Sequence, residues 1–161
     1  MNKYSKKYNG IVSELINNSF PELNNKKIIV VHKHKDNFIG ATAGAIEFFF
    51  FGMIITYKRI EQYPNEILKG IFAHELAHLA IIKNMNFFEL MHFSMWLFSK
   101  KIRKDFEKKA DLLAIHRGYG KNLLKFKIKR EIESTKIQII KRYSKGYLSP
   151  KEVKQEIKKL K

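Results

Sequence analysis

From Gly70 to Ile82 the chain reads GIFAHELAHLAII, apolar on every side of a helix except at His74, Glu75 and His78. A helix that is apolar all round is a buried one. Two imidazoles and a carboxylate are therefore carried into the interior, which is costly unless they are paired or bound to a metal. Positions i and i+4 of a helix lie one above the other, so His74 and His78 can reach one ion at about 2.0–2.1 Å. Glu75 stands about 100° further round the helix. That is too far for a good third ligand, but within reach of a water on the metal. The competing readings are a polar surface stripe and a core histidine pair satisfied without metal.

A catalytic zinc needs a third protein ligand and an open fourth position. The stretch after His78, LAIIKNMNFF, brings no third histidine, and the next one is His92. Glu107 in Glu107-Lys108-Lys109-Ala110-Asp111 is the better candidate. Glu107 and Asp111 are four residues apart and share a helix face. Glu107 can bind the metal while Asp111 accepts a hydrogen bond from a ligand histidine and fixes its ring. Ala110 is small enough to let two helices pack closely. Taken alone, this stretch also reads as an ordinary charged helix surface among lysines.

The rest of the chain supplies a frame. Residues 3–19 show helical spacing, closed by Pro21. Ile28–His34 is a short β-branched strand, with His32 and His34 read as surface groups. Asp36-Asn37 looks like a turn, and residues 38–44 are a further strand or loop. Ala45–Phe51 and Met53–Tyr57 are β-prone, with Gly52 as a bulge or turn between them. A helix follows over 66–83, with Asn65 as its cap. An aromatic helix over 86–99 is read as core or cleft wall, with a membrane-surface or substrate-binding face as the alternative. Residues 102–117 form a helix stopped by Gly118 and Gly120, and residues 121–143 form another. Ser149-Pro150-Lys151-Glu152 is a capping box opening an amphipathic tail helix. The fold class is α+β, with a small sheet of three or four strands. Residues 1–120 form the catalytic unit and residues 121–161 a basic helical extension.

His-Glu-x-x-His followed on a later helix by Glu-x-x-Ala-Asp resembles the gluzincin clan of zinc metallopeptidases. The likeness is strongest to the soluble minigluzincins and to the catalytic domains of CAAX prenyl and HtpX-type proteases. ITYKRIEQYPNEILKGIFAHELAHL is similar to the strand, loop and active-site helix of that group, and FEKKADLLAIHRGYG to its glutamate helix. The resemblance spans about residues 25–120. It implies a backing helix, a small, mostly antiparallel sheet, an active-site helix and a glutamate helix. It also implies Zn2+ held by His74, His78 and Glu107, with Glu75 as general base and Asp111 behind a ligand histidine. His116, Arg117 and Tyr119, further downstream, are candidate oxyanion stabilisers, since the membrane relatives use a later histidine and arginine for that job, although the resemblance does not align those positions. Some minigluzincins resemble zymogens, so the tail helix is expected to latch across the site, to bind a second subunit, or to complete the core. The implied partner is a peptide or unstructured protein substrate.

The net charge of +17 comes from 32 Lys+Arg against 15 Asp+Glu. Residues 121–161 hold 14 of those basic residues and 4 of the acidic ones, a net of +10. This balance favours anionic partners in principle. The rival function class is a catalytically silent scaffold that binds nucleic acid or anionic membrane through this region. Only five residues are arginine, and no recognition motif is present, which argues against nucleic acid. Peripheral membrane contact and a homodimer stay open. There is no cysteine, so thiolate zinc sites and disulfides are excluded. With no secretory signal at the N-terminus and no run of about 20 apolar residues, a cytoplasmic location is expected.

Overall fold

The computed structural model describes residues 3–35, 43–47, 51–94 and 99–160. Helix α1 (Lys3–Ser19) matches the predicted span and buries Tyr8, Ile11, Val12, Leu15 and Ile16 on one face. Pro21 follows and opens a 3-10 turn, Pro21–Leu23. The expected turn at Asp36-Asn37 lies outside the described residues.

Three strands, β1 (Lys27–Lys33), β2 (Ala43–Glu47) and β3 (Phe51–Tyr57), form one sheet in the order β1-β3-β2. The α+β class and the three strands agree with the sequence reading. The sheet is mixed, however, not mostly antiparallel: β2 pairs antiparallel with β3, whereas β1 pairs parallel with it. β3 follows β2 in sequence but takes the place between β2 and β1, where its Ile54 and Thr56 are buried. A second correction concerns Gly52, which lies inside β3 and pairs regularly with both Ile28 and Glu47.

Helix α2 (Asn65–Lys83) begins after Pro64, so Asn65 is its first helical residue and does not cap it. Every residue from Gly70 to Ala80 is buried. The helix is enclosed by α1, by the sheet and by two later helices, α4 (Lys100–Ala114) and α5 (Gly120–Ile132). The enclosure relies on glycine at two places. A Cβ on Gly52 would stand 3.0 Å from Leu79 Cδ1, so α2 packs tightly on the sheet there. A Cβ on Gly70 would stand 2.5–2.7 Å from the Asn122 and Leu123 backbone, so α2 and α5 cross at backbone contact.

In the aromatic helix α3 (Phe87–Ser94), Phe88, Leu90 and Met91 are exposed, so these three side chains are not core. Residues 95–98, and the side chain of His92, lie outside what the structure describes. Among the described residues no helix is long and apolar enough to cross a membrane.

Gly118, at φ 93°, breaks the helical backbone as expected, within a π turn, Ile115–Tyr119, whereas Gly120 is the first residue of α5. The predicted helix 121–143 is two helices. α5 ends at Ile132, and Thr135 and Gln138 form a capping box that starts α6 (Lys136–Ser144). Thr-x-x-Gln is itself a start signal, here hidden in a charged run. α7 (Pro150–Lys159) opens on the Ser149–Glu152 box as predicted. Residues on both sides of position 120 share one core, which includes Leu123, Leu148 and Val153 with the buried faces of α1 and α2.

Replacing Gly70 with alanine should destabilise the protein by about 1–3 kcal/mol, because the α2–α5 crossing has no room for a methyl group. Gly10 has open space around it, so Gly10→Ala should instead stabilise by up to about 1 kcal/mol through helix propensity. Urea unfolding of the two variants beside wild type checks the pair.

Candidate metal centre

His74 and His78 sit one turn apart in the most enclosed part of α2, and both are buried. α4 crosses α2 with Ala110 and Ala114 fully buried at the contact. These small residues let the carboxylates on the same face of α4 reach the histidines. His74 Nε2 and His78 Nε2 are 3.1 Å apart. Glu107 Oε2 lies 3.3 Å from each of them.

This triangle has the dimensions of one face of a metal tetrahedron. Donors held at about 2.0–2.1 Å from a tetrahedral ion stand about 3.3 Å apart. Its electrostatics also call for a cation. Glu107 Oε2 is buried and accepts no well-formed hydrogen bond. On the far side of its ring, His74 Nδ1 faces Asp111 Oδ1 at 2.8 Å. With a metal bound, a proton at Nδ1 would serve that contact and leave the Nε2 lone pair aimed into the triangle. Among the described residues, only this group and His32, His34 and Glu61 bring three such side chains close enough to hold a metal ion.

Asp111 is the anchor behind the centre. Its side chain is fully buried. Oδ2 accepts from Lys127 Nζ at 2.6 Å and from the Leu148 backbone N–H at 2.8 Å. Burial alone would raise its pKa, but Lys127 and His74 outweigh burial and hold it down at about 2. For His74, burial pulls the pKa down, but Asp111, Glu107 and Glu75 outweigh it and hold it up at about 10. The half-buried Glu107 carboxyl is held well below the ordinary range: the two histidines overcome the upward push of burial.

Two side chains at the centre escaped the sequence reading. Tyr147 places its ring 5.8 Å from that of His74 and stands close to Glu107 and Glu75. Burial, with Glu107 and Glu75 nearby, pushes its phenol well above the ordinary pKa. Lys127 Nζ lies 4.9 Å from the centre of that ring. The loop carrying Tyr147 is closely held: a Cβ on Gly146, at φ 101°, would collide with the Lys104 carbonyl. The sequence signals only the burial of their neighbours. Leu148 and Val153 occupy the two hydrophobic-staple positions around the Ser149 cap, and both are buried. Lys127 lies four residues after Leu123, on the buried face of α5.

Glu75 is buried beside the histidines, and its charge reaches both His74 and Tyr147. Phe106 covers His78, with ring centroids 4.5 Å apart. The remaining predicted residues point elsewhere. Arg117 pairs with Glu22 at 3.0 Å, Tyr119 meets Ser19 Oγ at 3.2 Å, and His116 is exposed. The π turn directs Arg117 and Tyr119 toward the end of α1 and the 3-10 turn after it.

Removing the Lys127 charge with Lys127→Met should cost about 3–5 kcal/mol, since it strips a buried carboxylate of its partner. The depressed pKa of Asp111 has a pH signature as well. Its contribution is fully present above the unfolded value of 3.8 and is lost as pH falls toward about 2. Metal-free wild type should therefore lose stability across that window, and Asp111→Asn should lose less across it. Urea unfolding at several acidic pH values measures both.

No protein-family model and no curated protein matches this chain.

Proposed function

We propose that this protein is a zinc-dependent metallo-endopeptidase of the gluzincin type. The observation that carries the reading is the triangle of His74 Nε2, His78 Nε2 and Glu107 Oε2, with edges of 3.1, 3.3 and 3.3 Å, beside a buried Glu75. Two imidazoles and one carboxylate are the donor set of hydrolytic zinc sites that keep a position open. A zinc ion there supplies Lewis acidity toward a scissile carbonyl and toward the water that attacks it.

The chain's own groups do the rest. Glu75 takes a proton from the attacking water and returns one to the leaving amine. Asp111 keeps His74 in the tautomer that offers Nε2 to the metal. Tyr147 donates a hydrogen bond to the carbonyl oxygen as that oxygen gains negative charge. This role falls to Tyr147 because its phenol is the hydroxyl donor at the centre, whereas Arg117 and Tyr119 are engaged elsewhere. The burial of Leu148 and Val153 and the bond from the Leu148 N–H to Asp111 favour a C-terminal segment integral to the site over a detachable latch. β2 stands at the edge of the sheet and touches α2. That placement supports an extended peptide substrate adding to its edge by backbone hydrogen bonds.

The test is cleavage of an unstructured protein by the zinc-loaded full chain, with metal content measured in parallel. Glu75→Gln should retain zinc and lose about 10²–10⁴-fold in rate. Tyr147→Phe should retain zinc and lose about 10²-fold in kcat. A Tyr147→Phe rate above wild type would make Tyr147 a cover over the site, not a donor. A zinc-loaded wild type with no more activity than Glu75→Gln would refute the peptidase reading.

A further inference from the structure

A second cluster stands apart from the centre on α2, where β1 ends. His32 closes on Glu61 of the 3-10 turn Lys58–Gln62, with Nε2 2.8 Å from Glu61 Oε1. His34, just past the end of β1, brings Nδ1 to 3.4 Å from the same oxygen. The two imidazole rings are perpendicular with centroids 4.9 Å apart. All three ligand atoms lie within 4.8 Å of one another.

The hydrogen bonds behind His32 fix what it offers. Its Nδ1 is 2.9 Å from Thr56 Oγ1. The Thr56 hydroxyl donates its own proton to the Val31 carbonyl at 3.4 Å, so Oγ1 is the acceptor and His32 Nδ1 carries the proton. Neutral His32 therefore points the Nε2 lone pair at a carboxylate oxygen 2.8 Å away. Two acceptors at that distance need a cation between them. A proton would satisfy one imidazole and one carboxylate. A second imidazole directed at the same carboxylate oxygen is what a metal adds to that requirement. The arrangement repeats that of a ligand histidine steadied by a hydrogen bond to its other nitrogen.

We infer that His32, His34 and Glu61 form a second divalent transition-metal site, distinct from the centre on α2. The donors are two imidazole nitrogens and one carboxylate oxygen, which suit zinc, cobalt, nickel or copper rather than magnesium or calcium. The His32 side chain is fully buried, whereas that of His34 is 59 % exposed. The ion therefore sits at the surface, with water completing its shell, and exchanges readily. It ties the end of β1 to the turn that follows β3. Tyr4 of α1, whose ring lies 5.2 Å from that of His32 and tilted 45° to it, joins α1 to the same point.

The test is a Co2+ titration of the metal-free full chain, prepared without a polyhistidine tag and read by visible absorption and calorimetry. Wild type should take up about two equivalents, and His34→Ala and His78→Ala about one each. The double variant should take up none. His34→Ala removes an exposed side chain, so folding is preserved. Glu61→Gln, which keeps the shape and removes the charge, should weaken the same equivalent at least about tenfold. Added Co2+ should raise the thermal midpoint of His78→Ala but not that of the double variant. An unchanged stoichiometry and affinity in His34→Ala would overturn the second site. If wild type binds one equivalent that only His78→Ala abolishes, the second site fails and the first stands. If only His34→Ala abolishes it, the second site stands and the first fails.

Discussion

The buried carboxylate of Asp111 is the interaction on which the rest of the centre depends. It meets His74 on α2, Lys127 on α5 and the Leu148 N–H of the C-terminal loop, at 2.8, 2.6 and 2.8 Å. A lone buried carboxylate is expensive, and these three partners offset that cost only when all the segments are docked together. One side chain thus couples the orientation of a ligand histidine to the assembly of the C-terminal third of the chain. The coupling explains why a site built on α2 and α4 involves residues as distant in sequence as Tyr147.

Close helix approach is the second requirement. Glu107 reaches the histidines because Ala110 and Ala114 keep α4 near α2, and Lys127 reaches Asp111 because Gly70 lets α5 touch the α2 backbone. Larger residues at these places would separate the donors by more than a metal tolerates. The apolar helix around His74 and His78 also excludes water, which strengthens every electrostatic contact inside.

The group of side chains that could hold a metal was legible in the sequence because helical spacing alone aligns His74 with His78 and Glu107 with Asp111. The order of helices and strands was legible for the same reason, from periodicity and caps. What escaped was long-range. Lys127 and Tyr147 sit in a lysine-rich stretch that reads as a solvated face, and their roles appear only when α5 and the loop before α7 fold back on α4. His32 was read as a surface group because its strand gives no local sign that Thr56 and Glu61 close over it. The parallel pairing of β1 with β3 was missed since strand order is not written in the strands themselves. The exposed Phe88, Leu90 and Met91 of α3 show the converse error, in which apolar composition was taken for burial.

The most direct test of the central claim is an anomalous difference map, at the zinc edge, from crystals of the zinc-loaded full chain. The account predicts a peak about 2.0–2.2 Å from His74 Nε2, His78 Nε2 and a Glu107 carboxylate oxygen. A well-ordered map with no peak among these three atoms would contradict it.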